Sequence, residues 1–122
     1  AEVPCVRAAA EGDPGPAYAF AKRAVGVRVA AASVPWGRRG ARVNAVSPGV
    51  IATPMGHAEL ASRSGGFIRS MVAASGTGRL GTPDDIAAAA DFLLGPGASF
   101  VTGVDLLVDG GAVAALKSGA LG

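Results

Sequence analysis

Side chains that carry reactive chemistry are scarce in this sequence. A single cysteine, Cys5, stands among 122 residues, so no internal disulfide can form. That fits a reducing cytosol, and a cytoplasmic location is expected. The single histidine, His57, lies far along the chain from that cysteine. The two make no ligand set, so no metal is expected. No apolar run reaches the roughly 18 residues of a membrane span, so no membrane partner is expected. The net charge is only +2, without a basic tract or basic residues interleaved with aromatics, and nothing points to nucleic acid. The chain opens Ala1-Glu2-Val3-Pro4, with neither the charged and apolar regions of a signal peptide nor an initiator Met. This suits a fragment or a processed chain. Its length allows at most one small domain.

Against that scarcity, one pair stands out. The only tyrosine, Tyr18, and one of the two lysines, Lys22, are four residues apart in Ala17-Tyr18-Ala19-Phe20-Ala21-Lys22. Residues at i and i+4 of a helix share a face, one turn apart. An ammonium near a phenol favours the ionised phenol, and such a pair can act as general acid or base toward a hydroxyl or carbonyl oxygen. The bland alternative is a chance pair on a solvated face.

Residues 1–16 end in Glu11-Gly12-Asp13-Pro14-Gly15-Pro16 and read as loop. A helix is expected from Ala17 to about Val34, stopped by Pro35 and Gly37. Its apolar residues lie all round, so both sides need cover. Gly26 within it implies close packing. Ala41–Ser47 reads as a strand ending at Pro48-Gly49. Arg38, Arg39 and Arg42 before it read as solvated charges. Ile51 to about Gly66 lacks a clear period and reads as a lid or binding loop. Phe67–Ser75 fits an amphipathic helix. Thr82-Pro83-Asp84-Asp85 is a helix start, with Thr82 as N-cap and Pro83 in the first turn. That helix stops at Gly95-Pro96, Val104–Val108 is the second strand, and residues 112–122 read as a loosely held tail. Strand, crossover helix and strand imply a parallel pair.

Gly76-Thr77-Gly78-Arg79-Leu80-Gly81 matches G-x-G-x-x-G, but no strand precedes it and no helix opens inside it. It reads as plain loop, not a phosphate cradle. The better cofactor contact is Ser47-Pro48-Gly49-Val50-Ile51, beyond the carboxyl end of a strand, where open α/β sheets bind ligands.

Tyr18-x-x-x-Lys22, then Arg42-Val43-Asn44-Ala45-Val46-Ser47-Pro48-Gly49-Val50-Ile51-Ala52-Thr53-Pro54, then Val108-Asp109-Gly110-Gly111 resembles the short-chain dehydrogenase/reductase family. The resemblance runs from Ala17 to Gly111 and covers the C-terminal half of that family's fold. It implies an α/β fold: the C-terminal part of a doubly wound parallel sheet of Rossmann type, with the N-terminal nucleotide-binding half missing. One incomplete domain, 1–122, is expected. The resemblance implies an oxidoreductase moving hydride between NAD or NADP and a carbonyl or secondary alcohol. By the same resemblance, Tyr18 exchanges the proton with the substrate oxygen, and Lys22 assists it and holds the cofactor ribose. Pro48 and Gly49 line the nicotinamide, and Gly49 lets the backbone come close to the ring. Val50 and Ile51 offer backbone groups to the carboxamide, and Thr53 supplies a hydroxyl to the cofactor.

The family also uses a Ser and an Asn. In many members the Ser position corresponds to Cys5, a poor substitute because a thiol is a weak donor. Both residues are therefore expected off this chain, and the chain alone is expected to bind a dinucleotide weakly and to show no turnover. The resemblance further implies a homodimer or homotetramer built on the tyrosine helix, and the chain is similar to hydroxysteroid dehydrogenase and carbonyl reductase members. Met55, Leu60, Phe67 and Met71 are candidates for an apolar substrate pocket, and His57 for its gate. Two alternatives stand beside this reading: a non-catalytic remnant acting only through subunit association, and an enoyl reductase.

Overall fold

The computed structural model describes residues 15–121. The expected loop over the preceding residues and Cys5 lie outside the described residues. The chain divides into two compact units, Ala1–Ala45 with Val101–Asp105, and Val46–Phe100 with Leu106–Gly122.

The first unit is built on helix α1, Gly15–Gly37. It starts at Gly15 rather than Ala17, and it runs through Pro35 instead of stopping there. A proline this close to a helix end removes only one backbone bond, and the end is secured elsewhere. The Gly40 N–H donates to the Gly37 carbonyl and the Ala41 N–H to the Trp36 carbonyl, both at 3.0 Å. Gly40 has φ +75°. This is a left-handed glycine stop with the paired bonds of a Schellman motif, so the terminating residue is Gly40 and not Gly37. The close packing expected at Gly26 is present: a Cβ placed there would lie 3.2 Å from Asp105 Oδ2. The apolar side chains Phe20, Val25, Val27, Val34 and Trp36 of α1 are exposed.

The expected strand over 41–47 is shorter, β1 spanning Ala45–Pro48. Residues 42–44 bond to the 101–104 segment through side chains as well as backbone, the Val43 carbonyl accepting the Gly103 N–H at 2.7 Å. Asn44 Nδ2 donates to the Val101 carbonyl at 3.0 Å and its Oδ1 accepts from the Val104 N–H at 3.2 Å. Arg42 donates to the same Val101 carbonyl at 3.1 Å, so it is no solvated charge, whereas Arg38 and Arg39 are exposed. Strand β2, Asp105–Val108, pairs with β1. Ala45 N–H bonds Val104 O, and Gly49 N–H bonds Val108 O, each at 2.9 Å. The partners advance together along both strands, so the pairing is parallel, as expected.

The second unit carries the remaining helices. α2 spans Pro54–Ala61, in a stretch read above as loop. Thr53 caps it, accepting the Gly56 N–H at 3.1 Å, with Pro54 in the first turn. α3, Gly65–Ala74, fits the amphipathic expectation and packs on α2 and on α5. α4, Pro83–Leu94, starts at the predicted cap. Thr82 and Asp85 exchange side-chain-to-backbone bonds in a capping box, and Gly95 is the C-cap. Residues 112–117 are not a loose tail but helix α5, Ala112–Lys117. Asp109 anchors its start, its two carboxylate oxygens accepting the N–H groups of Gly111 and Val113 at 2.9 Å each. Ala112 and Ala115 of α5 are buried, as are Leu93 and Ala98.

Candidate active site

Helix α1 carries two of the predicted site residues, Tyr18 and Lys22. Tyr18 is 62% exposed, and the Lys22 ammonium lies 5.5 Å from the centroid of its ring. The one-turn spacing therefore brings the pair together, as a cation over an aromatic face.

The other predicted residues follow β1. Pro48 closes the strand and is exposed. Gly49 is held by its bond to Val108, and a Cβ built on it would lie 2.7 Å from both Cα and Cβ of Asp109. The missing side chain makes room for the Asp109 backbone, a packing demand that sequence reasoning assigned to a cofactor ring. Beyond it, Ile51 and Gly81 form a parallel bridge. The Gly81 N–H donates to Val50 O at 2.9 Å, and the Ala52 N–H donates to Gly81 O at 2.8 Å. The Ile51 carbonyl accepts the Thr53 N–H at 2.8 Å. Among the described residues, no partner takes the N–H of Val50 or of Ile51. An N–H left over at a strand end can donate to a carboxamide oxygen. The Thr53 hydroxyl is engaged in capping α2 and also donates to Ile51 O at 3.4 Å.

A cavity of about 220 Å³ opens on the Gly81 side of this strand, with Val50, Ile51, Thr77, Arg79, Asp85 and Asp109 in its walls. It is smaller than the roughly 300–1,000 Å³ of ordinary small-molecule sites. Arg79 forms a two-point ion pair with Asp85, at 2.8 and 3.2 Å. That guanidinium, aided by the Thr82 N–H and hydroxyl, holds the Asp85 carboxyl far below the usual carboxylate range. Sequence reasoning passed over Arg79. It read Thr82-Pro83-Asp84-Asp85 only as a helix start, and that run was the only signal of the network. The expected apolar pocket residues divide: Met55 and Phe67 are 72% and 56% exposed, while Leu60 and Met71 are half-buried. His57 is exposed. No group of three or more metal-ligating side chains occurs among the described residues, and none of their helices is long and apolar enough to cross a membrane.

The profile of the family described as enoyl-(acyl carrier protein) reductase matches residues 5–113. The short-chain dehydrogenase/reductase bsc3 of Alternaria brassicicola is 45% identical over 83% of this chain and 37% of its own length. The 3-alpha-hydroxysteroid dehydrogenase/carbonyl reductase of Comamonas testosteroni is 36% identical over 83% of this chain and 39% of its own. Among solved structures, the 3-alpha-hydroxysteroid dehydrogenase from Pseudomonas sp. B-0831, complexed with NADH, superposes with a TM-score of 0.80. It is 38% identical over 91% of this chain and 43% of that one. The chain thus spans about two fifths of the length of these relatives. With the α/β architecture and its parallel strand pair, these likenesses establish the identity: the chain belongs to the short-chain dehydrogenase/reductase family.

Proposed function

We propose that the protein carrying this chain is an NAD- or NADP-dependent oxidoreductase acting on a carbonyl/secondary alcohol pair, with Tyr18 as the acid/base and Lys22 as its assistant. The reading rests on one observation above the others: the approach of the Lys22 ammonium to the Tyr18 ring at 5.5 Å. The chain also holds a Pro48-Gly49 strand end, beyond which the N–H groups of Val50 and Ile51 meet no partner among the described residues. The relatives named above, one of them complexed with NADH, support the cofactor class.

A bound nicotinamide would supply the hydride chemistry, which no side chain can. The chain's own part is to bind, orient and move a proton. Tyr18 gives its hydroxyl proton to the substrate oxygen in reduction and takes it back in oxidation. Lys22 places a positive charge one turn away, where it steadies the phenol and is free to hold a ribose hydroxyl. Val50 and Ile51 would offer their backbone groups to the carboxamide. Pro48 and Gly49 would form the wall against the ring, and Thr53 would offer its hydroxyl at the same edge. A homodimer or homotetramer formed through α1 fits the exposed apolar residues of that helix.

The test is kinetic. In the protein carrying this chain, Tyr18→Phe should lower carbonyl reduction by about 10²–10⁴-fold, while binding of NADH or NADPH persists. The rival, a non-catalytic chain acting only by association through α1, predicts no turnover for Tyr18→Phe to remove. Turnover of an enoyl thioester but not of a ketone would replace the carbonyl reading with enoyl reduction.

A further inference from the structure

We infer that the Arg79–Asp85 ion pair is a positioning device for the backbone N–H of Ile51, and through it for the carboxamide of a nicotinamide cofactor. The inference rests on the cofactor reading above and assigns a task to the glycine-rich loop 76–81.

The bonds around Ile51 dictate where its N–H points. Val50 O and Ala52 N–H both bond Gly81, at 2.9 and 2.8 Å. In a parallel bridge the residue between those two turns its own N–H and carbonyl the opposite way. The Ile51 carbonyl is used by Thr53 at 2.8 Å, and its N–H meets no described partner. The direction of that N–H therefore depends on where Gly81 is held. Gly81 has no side chain to anchor it, but both of its neighbours are pinned. Arg79 Nη1 donates to the Leu80 carbonyl at 2.8 Å and to Asp85 Oδ2 at 2.8 Å. Asp85 Oδ2 also accepts the Thr82 N–H at 2.8 Å and the Thr82 hydroxyl at 3.1 Å. One carboxylate thus ties down the residues on either side of Gly81, one through the guanidinium and one directly. The far end of the loop is fixed by the Thr77 N–H on the Gly110 carbonyl at 3.0 Å. The ion pair is largely exposed, with 55% and 35% of the two side chains accessible. An exposed pair adds little to stability by itself. Its distinctive contribution is the bracketing of Gly81.

The discriminating measurement compares two ligands. NADH carries the carboxamide, whereas ADP-ribose lacks the nicotinamide altogether. In the protein carrying this chain, Arg79→Met should weaken NADH binding about tenfold, the equivalent of one forfeited hydrogen bond, and leave ADP-ribose within about twofold. Arg79→Lys, which keeps the charge but not the fork, should restore part of the loss. Gly81→Ala is the second variant, because its Cβ would lie 2.6 Å from Ile51 Cδ1. It should shift the ligand ratio in the same direction whether or not Arg79→Met folds. Equal weakening of both ligands by these variants, or an unchanged ratio, overturns the inference. A wild-type protein that binds NADH no more tightly than ADP-ribose overturns the cofactor reading beneath it, which is a distinct result.

Discussion

Gly49→Ala separates two reasons for a glycine at the strand end. If the residue were small only to admit a flat ring, the ligand-free protein would tolerate alanine. The structure gives a different reason. The new Cβ would stand 2.7 Å from Asp109 Cα and from Asp109 Cβ, well inside van der Waals contact. Neither strand end can yield freely, because Gly49 is bonded to Val108 and the Asp109 carboxylate is bonded to Gly111 and Val113. Overpacking of this kind costs about 1–3 kcal/mol. In urea, with a slope of about 2 kcal/mol per molar, this lowers the unfolding midpoint by about 1 M. The assay is equilibrium urea unfolding of the ligand-free protein carrying this chain. The control is Gly66→Ala in α3, where a Cβ would meet no atom within 4 Å. Its stability should stay or rise, by at most about 1 kcal/mol. A Gly49→Ala protein as stable as wild type without ligand, yet weakened toward NADH, would refute the packing argument and return the glycine to the ring alone.

Three further outcomes follow from the same unit. Thr82→Ala removes the acceptor for the Asp85 N–H and should cost about 0.5–2 kcal/mol in urea unfolding. Thr53→Ala removes the cap of α2, with a similar loss of about 1 kcal/mol by the same assay. For Asp85, the Arg79 guanidinium and Thr82 depress the folded-state pKa below the unfolded value, which is about 3.9. Its contribution is therefore fully present above the unfolded value and is lost as pH falls through the folded one. Asp85→Asn should flatten the acid limb of the stability curve below about pH 4, seen as a smaller drop in urea midpoint than in wild type. An identical acid limb in both proteins would contradict the depression.

The sequence made the local grammar plain where a residue's job is done by its near neighbours. Thr82-Pro83 with Asp85 announced α4, because a capping box lies within four residues. Tyr18 and Lys22 met because a helix turn brings them together. The glycine-rich run 76–81 lacked the strand and helix that a phosphate cradle requires, and it is loop. Thr53-Pro54 carried the same signature as Thr82-Pro83, yet α2 was missed because Met55-Gly56-His57-Ala58 shows no apolar period behind it. The stop of α1 was misplaced because Pro35 and Gly37 are breakers by type, whereas the left-handed conformation belongs to Gly40. Helix α5 was missed because its anchor, the Asp109 carboxylate, precedes a Gly-Gly pair that reads as a break. Gly49 pressed on Asp109 and Gly81 paired to Ile51 were beyond reach, since each joins residues distant in the chain.

The most direct measurement of the central claim is a crystal structure of the protein carrying this chain with NADH or NADPH bound. The account predicts the carboxamide on the N–H of Ile51 and the Tyr18 hydroxyl beside the nicotinamide, with Lys22 reaching the adjoining ribose. A dinucleotide bound elsewhere, or a Tyr18 hydroxyl turned away from the nicotinamide with Lys22 on solvent, would contradict it.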